Sequence, residues 1–159
     1  MKEPLLEVLI YLFDQYAGNE FDRKDYPDKI TPEMSTSGFH PEELEQALRW
    51  LDDLNHLMGN FENISRISGQ SVHIYSKEEW RRFTQRSISY LLCLEQSGIV
   101  DPVSRELIID RSMALEEPKI DVHEIQWVGL LVLSSEYEKK QQLLRMEDLV
   151  FHGYSEWKH

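Results

Sequence analysis

The sequence predicts a mainly α fold, a helical bundle with a winged-helix-like N-terminal lobe and one small β-hairpin. Three observations predict it. Apolar residues recur at helical spacing through most of the chain. Start and stop signals bracket those runs, with proline or a capping Ser, Thr or Asp before them and glycine after. Once only, over residues 64–75, the period shortens to that of a strand.

The first helix is expected from about Leu5 to Tyr16, because Leu5, Val8, Leu9, Leu12, Phe13 and Tyr16 fall on one face with Glu7 and Asp14 opposite. Gly18 and Asn19 end it, and a charged connector follows to residue 29. A short helix is expected over 31–37, capped by Thr31 with Pro32 at its first position. Pro41 opens the clearest helix, with acids in its first turn and Gly59 at its end, and Leu44, Ala47, Leu48, Leu51 and Met58 form its inner stripe. ISRI (64–67) and SVHIY (71–75), joined by Ser68-Gly69-Gln70, then read as a hairpin. Three helices followed by a hairpin is the order of a winged-helix module, which defines an expected N-terminal lobe at 1–76.

The expected C-terminal helical lobe, 77–159, packs against it. Ser76 and Glu79 form a capping box. The helix they start carries Trp80, Phe83, Ile88, Leu91 and Leu94 as its stripe and stops at Gly98. Asp101-Pro102 starts the next, through about Leu115. Asp121 and Glu124 resemble another capping pair before IQWVGLLVL, a run apolar on all sides. Such a run is a central helix or a buried strand, the cap favours helix, and Gly129 lets a neighbour approach closely. A last helix is expected over 137–151.

Composition excludes several function classes. The chain has 159 residues, 41% apolar and 29% charged, with a net charge of −12. No stretch approaches the ~20 apolar residues of a membrane helix, so no membrane association is expected, and the N-terminus reads as a core helix rather than a signal peptide. A single cysteine, Cys93, cannot form an internal disulfide, which fits a reducing, cytoplasmic setting. Its apolar surroundings make it a small hydrophobe rather than a nucleophile. No two of the six histidines lie three or four apart, so no metal site is expected. Glycine-rich phosphate loops and nucleophile elbows are absent, so neither a cofactor nor a catalytic activity is expected. Arg111 and Glu147 fall on otherwise apolar faces and must be paired or reach out to solvent.

One cluster opposes the general charge. Lys77, Arg81, Arg82 and Arg86 interleave with Trp80 and Phe83. Basic residues among aromatics can bind nucleic acid. The same pattern is that of a solvated helix face with Glu78 and Glu79 as local partners and the aromatics in the core, and this plainer reading is favoured. Docking on an acidic region of the same chain or a second copy is a third reading.

The segments VLIYLFDQY (8–16), GFHPEELEQALRWLDDL (38–54), IYSKEE (74–79), LLCLEQSGIVDP (91–102), RELIIDR (105–111) and DVHEIQWVGLLVL (121–133) together resemble the Smg family of bacterial proteins, in order along nearly the whole chain. The resemblance implies a bacterial, cytoplasmic, helical protein. It offers no catalytic residues, because the family's function is unknown. Genes of this family often sit near one for a DNA-processing protein used in transformation, which is an associational hint only.

The expected function is a non-catalytic protein-interaction or adaptor module with a protein partner. Its binding residues would be Lys77, Arg81, Arg82 and Arg86, together with Glu42 and Glu43 on the acidic helix opened by Pro41. The alternative is a nucleic-acid-associated protein, in DNA processing or on RNA, using the start of the 77–86 helix. Duplex DNA is a poor partner. In a winged-helix arrangement the third helix enters the major groove, and here it carries Glu42, Glu43, Glu45, Asp52 and Asp53 against Arg49 alone. The isolated chain is therefore expected to bind duplex DNA no more tightly than ~10⁻⁴ M at physiological salt, the weak end of non-specific binding. Sub-micromolar binding to any duplex in a mobility-shift series would contradict this.

Overall fold

The computed structural model describes residues 4–17, 29–68 and 72–152. Helix α1 (Leu5–Leu12) runs into a wider turn, Phe13–Ala17. It buries Leu5, Leu6, Val8, Leu9 and Leu12, the expected stripe plus one residue. The short α2 (Pro32–Ser35) starts as its sequence implies, with the Met34 amide donating to the Thr31 hydroxyl at 3.2 Å. Helix α3 spans Pro41–Ser68. Its first turn is closed by the His40 amide, which donates to the Glu43 carboxylate at 2.8 Å. Leu44, Ala47, Leu48, Leu51 and Leu54 are buried below it.

The expected hairpin and the winged-helix arrangement built on it are not found. Residues 64–67 are helical, within α3. Gly59, expected as a terminator, lies inside the helix. A glycine inside a helix costs only ~1 kcal/mol relative to alanine, too little to end a run that continues on both sides. The Ser68-Gly69-Gln70 turn falls partly outside the described residues. Val72–Tyr75 has no regular secondary structure, and among the described residues there is no sheet. A lone parallel bridge joins Phe83 to Ile120.

That bridge explains a second difference. The helix expected from Ser76 to Gly98 is two helices, α4 (Lys77–Arg82) and α5 (Gln85–Gln96). Between them Phe83 is extended and buried. The Ile120 amide donates to the Arg82 carbonyl at 2.7 Å, and the Thr84 amide donates to the Ile120 carbonyl at 2.9 Å. Thr84 then restarts the helix by accepting the Ser87 amide at 3.1 Å. The break moves Trp80 off the inner face. It is exposed, whereas Phe83 is in the core.

Helix α5 ends at Gly98, whose φ of +82° is a left-handed conformation that favours glycine. Helix α6 (Pro102–Met113) is capped by Asp101, whose carboxylate accepts the Ser104 amide at 2.7 Å. Helix α7 (Val122–Ser135) carries the Asp121/Glu124 capping box, so the IQWVGLLVL run is a helix and not a strand. A one-turn helix, Tyr137–Lys139, leads into α8 (Lys140–Phe151).

Helix α7 packs against α1, α5, α6 and α8, and α3 packs against α1 and α6. Residues on both sides of position 76 contribute to one hydrophobic cluster that runs from Leu5 to Met146. At Gly129 an added Cβ would lie 3.0 Å from Met146 Cε, so the missing side chain lets α8 sit close to α7. Arg111, buried on α6, joins α6 to α3. Its guanidinium donates to the Trp50 carbonyl at 3.2 Å and to Asp110 at 2.9 Å, and it lies 5.3 Å from the Trp50 ring centroid. The Trp50 indole N–H donates back to the Arg111 carbonyl at 3.1 Å. The partners of Arg111 are thus Asp110 and Trp50, and not Glu147. Among the described residues no helix is long and apolar enough to cross a membrane.

Candidate functional site

The period-2 pattern of residues 72–75 survives without a hairpin. His73 and Tyr75 turn inward, and Val72 and Ile74 turn outward. Both inner residues are anchored. His73 Nδ1 lies 2.9 Å from Glu106 Oε2 on α6, and His73 Nε2 lies 3.0 Å from Glu79 Oε1 on α4. Both nitrogens can donate at once only when the ring carries both protons. The Tyr75 ring meets His73 edge-on at 4.6 Å and stands 5.9 Å from Phe83.

The clamp has a supporting layer. Arg105, buried on α6, donates through Nε to Glu106 at 3.0 Å and through Nη1 to Glu95 of α5 at 3.0 Å. Glu79 also closes the capping box of α4, accepting the Ser76 amide at 2.9 Å while its own amide donates to the Ser76 hydroxyl at 3.1 Å. Burial alone would raise the Glu79 carboxyl. The Ser76 amide and the His73 ring outweigh it and hold the group below the ordinary carboxylate range. Burial, followed by the Glu79 charge, pushes the Tyr75 phenol up to about 12. Charged groups withdrawn from water are tolerable only when paired in this way.

The outward side is different. Val72 is 86% exposed, Ile74 88% and Trp80 58%. The Trp80 ring stands 5.6 Å from Tyr75, beside the same segment. Lys77 and Arg81 are exposed on α4. Lys119, which the sequence pattern did not select, joins them by donating to the Arg81 carbonyl at 2.7 Å. Val72, Ile74 and Trp80 are thus exposed next to a short helix whose exposed side carries Lys77, Glu78 and Arg81.

The other expected binding residues separate. Arg82 is half-buried and turned inward, which corrects its placement on a solvated face. It donates to the Met113 carbonyl at 2.7 Å and to the Glu117 carbonyl at 2.7 and 3.0 Å, tying α4 to the segment after α6. Arg86 is exposed on α5, past the Phe83 break, and lines a cavity with Cys93. Cys93 is half-buried rather than part of the core. Glu42 is exposed at the start of α3, but Glu43 is buried against the His40 amide and offers no docking surface. The clamp residues His73, Glu106, Arg105 and Glu95 were not read from sequence, and their only local signal was the V-H-I-Y alternation. Among the described residues no group of His, Cys, Asp or Glu could hold a metal ion.

The two arginines of α4 therefore predict opposite outcomes. Arg82→Glu leaves three carbonyl contacts unmade and should lower unfolding free energy by ~1–3 kcal/mol. Arg81→Glu, on the exposed side, should change it by less than ~0.5 kcal/mol. Urea melts of the two variants check this, and equal effects would show that the Arg82 tie contributes nothing.

Comparison with known proteins places the chain. Residues 5–159 match a family model described as a protein of unknown function, DUF494. A protein Smg homolog of Nitrosococcus oceani is 36% identical over 159 residues, all of both chains. One of Alkalilimnicola ehrlichii is 37% identical over 153 residues, 95% of each chain, and one of Methylococcus capsulatus is 35% identical over 159 residues, all of both chains. No solved structure matches. Full-length similarity to relatives of this kind, together with the family match over nearly every residue, means that this chain belongs to the Smg family of bacterial proteins, whose function is unknown.

Proposed function

We propose that the chain is a non-catalytic protein-interaction module that binds a partner through the face formed by Val72, Ile74 and Trp80. The observation that carries this reading is the exposure of those three side chains on a segment whose opposite side is clamped in place. Isolated apolar residues are ordinary on a surface, but two nearly bare aliphatics on one short segment, with an exposed tryptophan against Tyr75 of that segment, are not. Apolar centres with tryptophan and a charged margin are the anatomy of protein interfaces. Charge indicates the kind of partner. The chain carries −12 in total, so an acidic surface is repelled elsewhere and drawn to Lys77, Arg81 and Lys119.

The nucleic-acid reading has one observation in its favour. An exposed Trp80 beside Lys77 and Arg81 could stack an unpaired base while the cations meet phosphates. One experiment separates the two. Tagged protein is recovered from its native cells with and without nuclease, alongside a Val72→Ser, Ile74→Ser, Trp80→Ser variant shown by circular dichroism to be folded. The protein-interaction reading expects a partner that survives nuclease and is lost from the variant. Loss of all captured material on nuclease treatment would favour nucleic acid, and identical capture by the variant would remove this face from either role.

A further inference from the structure

A second feature lies away from that face. Between α5, α7 and α8 is a cavity of about 610 Å³, within the ~300–1,000 Å³ typical of small-molecule sites. Val122, Leu149 and Val150 form apolar wall, and Ser89 and Gln126 supply hydrogen-bonding groups. The Gln126 amide donates to the Tyr90 hydroxyl at 3.4 Å.

The charge and the direction of this cavity are both defined. Among the described residues of its lining, Arg86 is the one charged residue and none is a carboxylate. In a chain of net charge −12, an opening whose described lining carries a cation and no acid is a local exception. Asp121 lies near enough to interact with Arg86: the Thr84 hydroxyl first, then the Val122 amide, and to a smaller extent the Arg86 charge hold its carboxyl low. Its Oδ1 already accepts the Thr84 hydroxyl at 2.8 Å, and it caps α7. Arg86 itself is exposed. Helices α5 and α7 start side by side, joined by that hydroxyl contact and by the Thr84 amide on the Ile120 carbonyl. Arg86 sits on the first turn of α5 and Cys93 lies seven residues further on, about 10 Å along the helix at ~1.5 Å per residue.

We propose that this cavity binds a small amphipathic anion, with its carboxylate on Arg86 and an apolar body about 10 Å long lying against Val122, Leu149 and Val150 towards Cys93. Decanoate has that length and that charge. Decanol has the same body without the charge. A charge-assisted contact to a guanidinium favours the former, and burial of the chain contributes to both.

Cys93 is the only cysteine of the chain, so alkylation by iodoacetamide reports on this cavity alone. Decanoate at about ten times its Kd should slow Cys93 alkylation about tenfold by mass action. Decanol at the same concentration should protect less. In an Arg86→Gln variant, checked by thermal melt to be folded, decanoate protection should fall to the level of decanol. An alkylation rate unaffected by decanoate would overturn the proposal. So would equal protection by decanol in the unmodified chain, or full decanoate protection in Arg86→Gln.

Discussion

From Val128 to Ser134 every residue of α7 is buried, and so is Ile125 one turn earlier. A helix with no polar face can exist in water only when other elements enclose it. This requirement places α1, α5, α6 and α8, all of which contact α7. Gly129 sharpens it, because the absent side chain lets Met146 of α8 come within reach of the α7 backbone. The remaining helices each need only one apolar face. Helix α3 is a further step out, held to α6 by packing and by the reciprocal contacts of Trp50 and Arg111. The pair is buried, and each member supplies the donor that the other's carbonyl needs.

Local signals made most of this legible. Thr31, Ser76, Asp101 and Asp121 cap helices where their residue types and the following proline or glutamate say they should. The stripes of α1 and α3 are buried as their spacing requires, except that Tyr16 and Met58 at their ends are half-buried. The family was legible too, because the resemblance extends over the whole chain. What failed depends on contacts between distant residues. Nothing local says that Ile120 will pair with Phe83 and split one helix into two, and Trp80 changes sides as a consequence. Arg82 reads as surface until the carbonyls of Met113 and Glu117 arrive to meet it. Residues 64–67 read as strand because two isoleucines flank Ser65 and Arg66 ahead of a glycine turn, yet continuity with a well-started helix decides their state. SVHIY reads as one strand of a hairpin, but the partners of His73 are Glu79 and Glu106 and not a second strand.

The clamp on His73 links the core to the surface proposed for binding. Helix α6 is positioned by α7, and Glu106 and Arg105 are carried on α6. Glu79 belongs to α4, which Arg82 ties to the segment after α6. His73 is therefore held between two elements that the core has already fixed. A half-buried polar network that reaches two elements favours one arrangement where apolar packing would tolerate several. With His73 and Tyr75 held inward, Val72 and Ile74 have only solvent to face. Exposed apolar residues on a rigid support lose less conformational entropy on binding than the same residues on a mobile loop.

Amide hydrogen exchange measures both ends of this chain of dependence in one experiment. The backbone of Val72–Tyr75 makes no hydrogen bond to another described backbone group, whereas Leu130–Leu133 lie in the enclosed part of α7. Under native conditions the amides of Leu130–Leu133 should exchange only through global unfolding, and those of Ile74 and Tyr75 should exchange close to the unprotected rate. Protection at 74–75 comparable with that of α7 would mean that this segment is paired in a sheet and its outer side is not free. Rapid exchange at 130–133 would mean that α7 is not the enclosed axis on which the other helices depend.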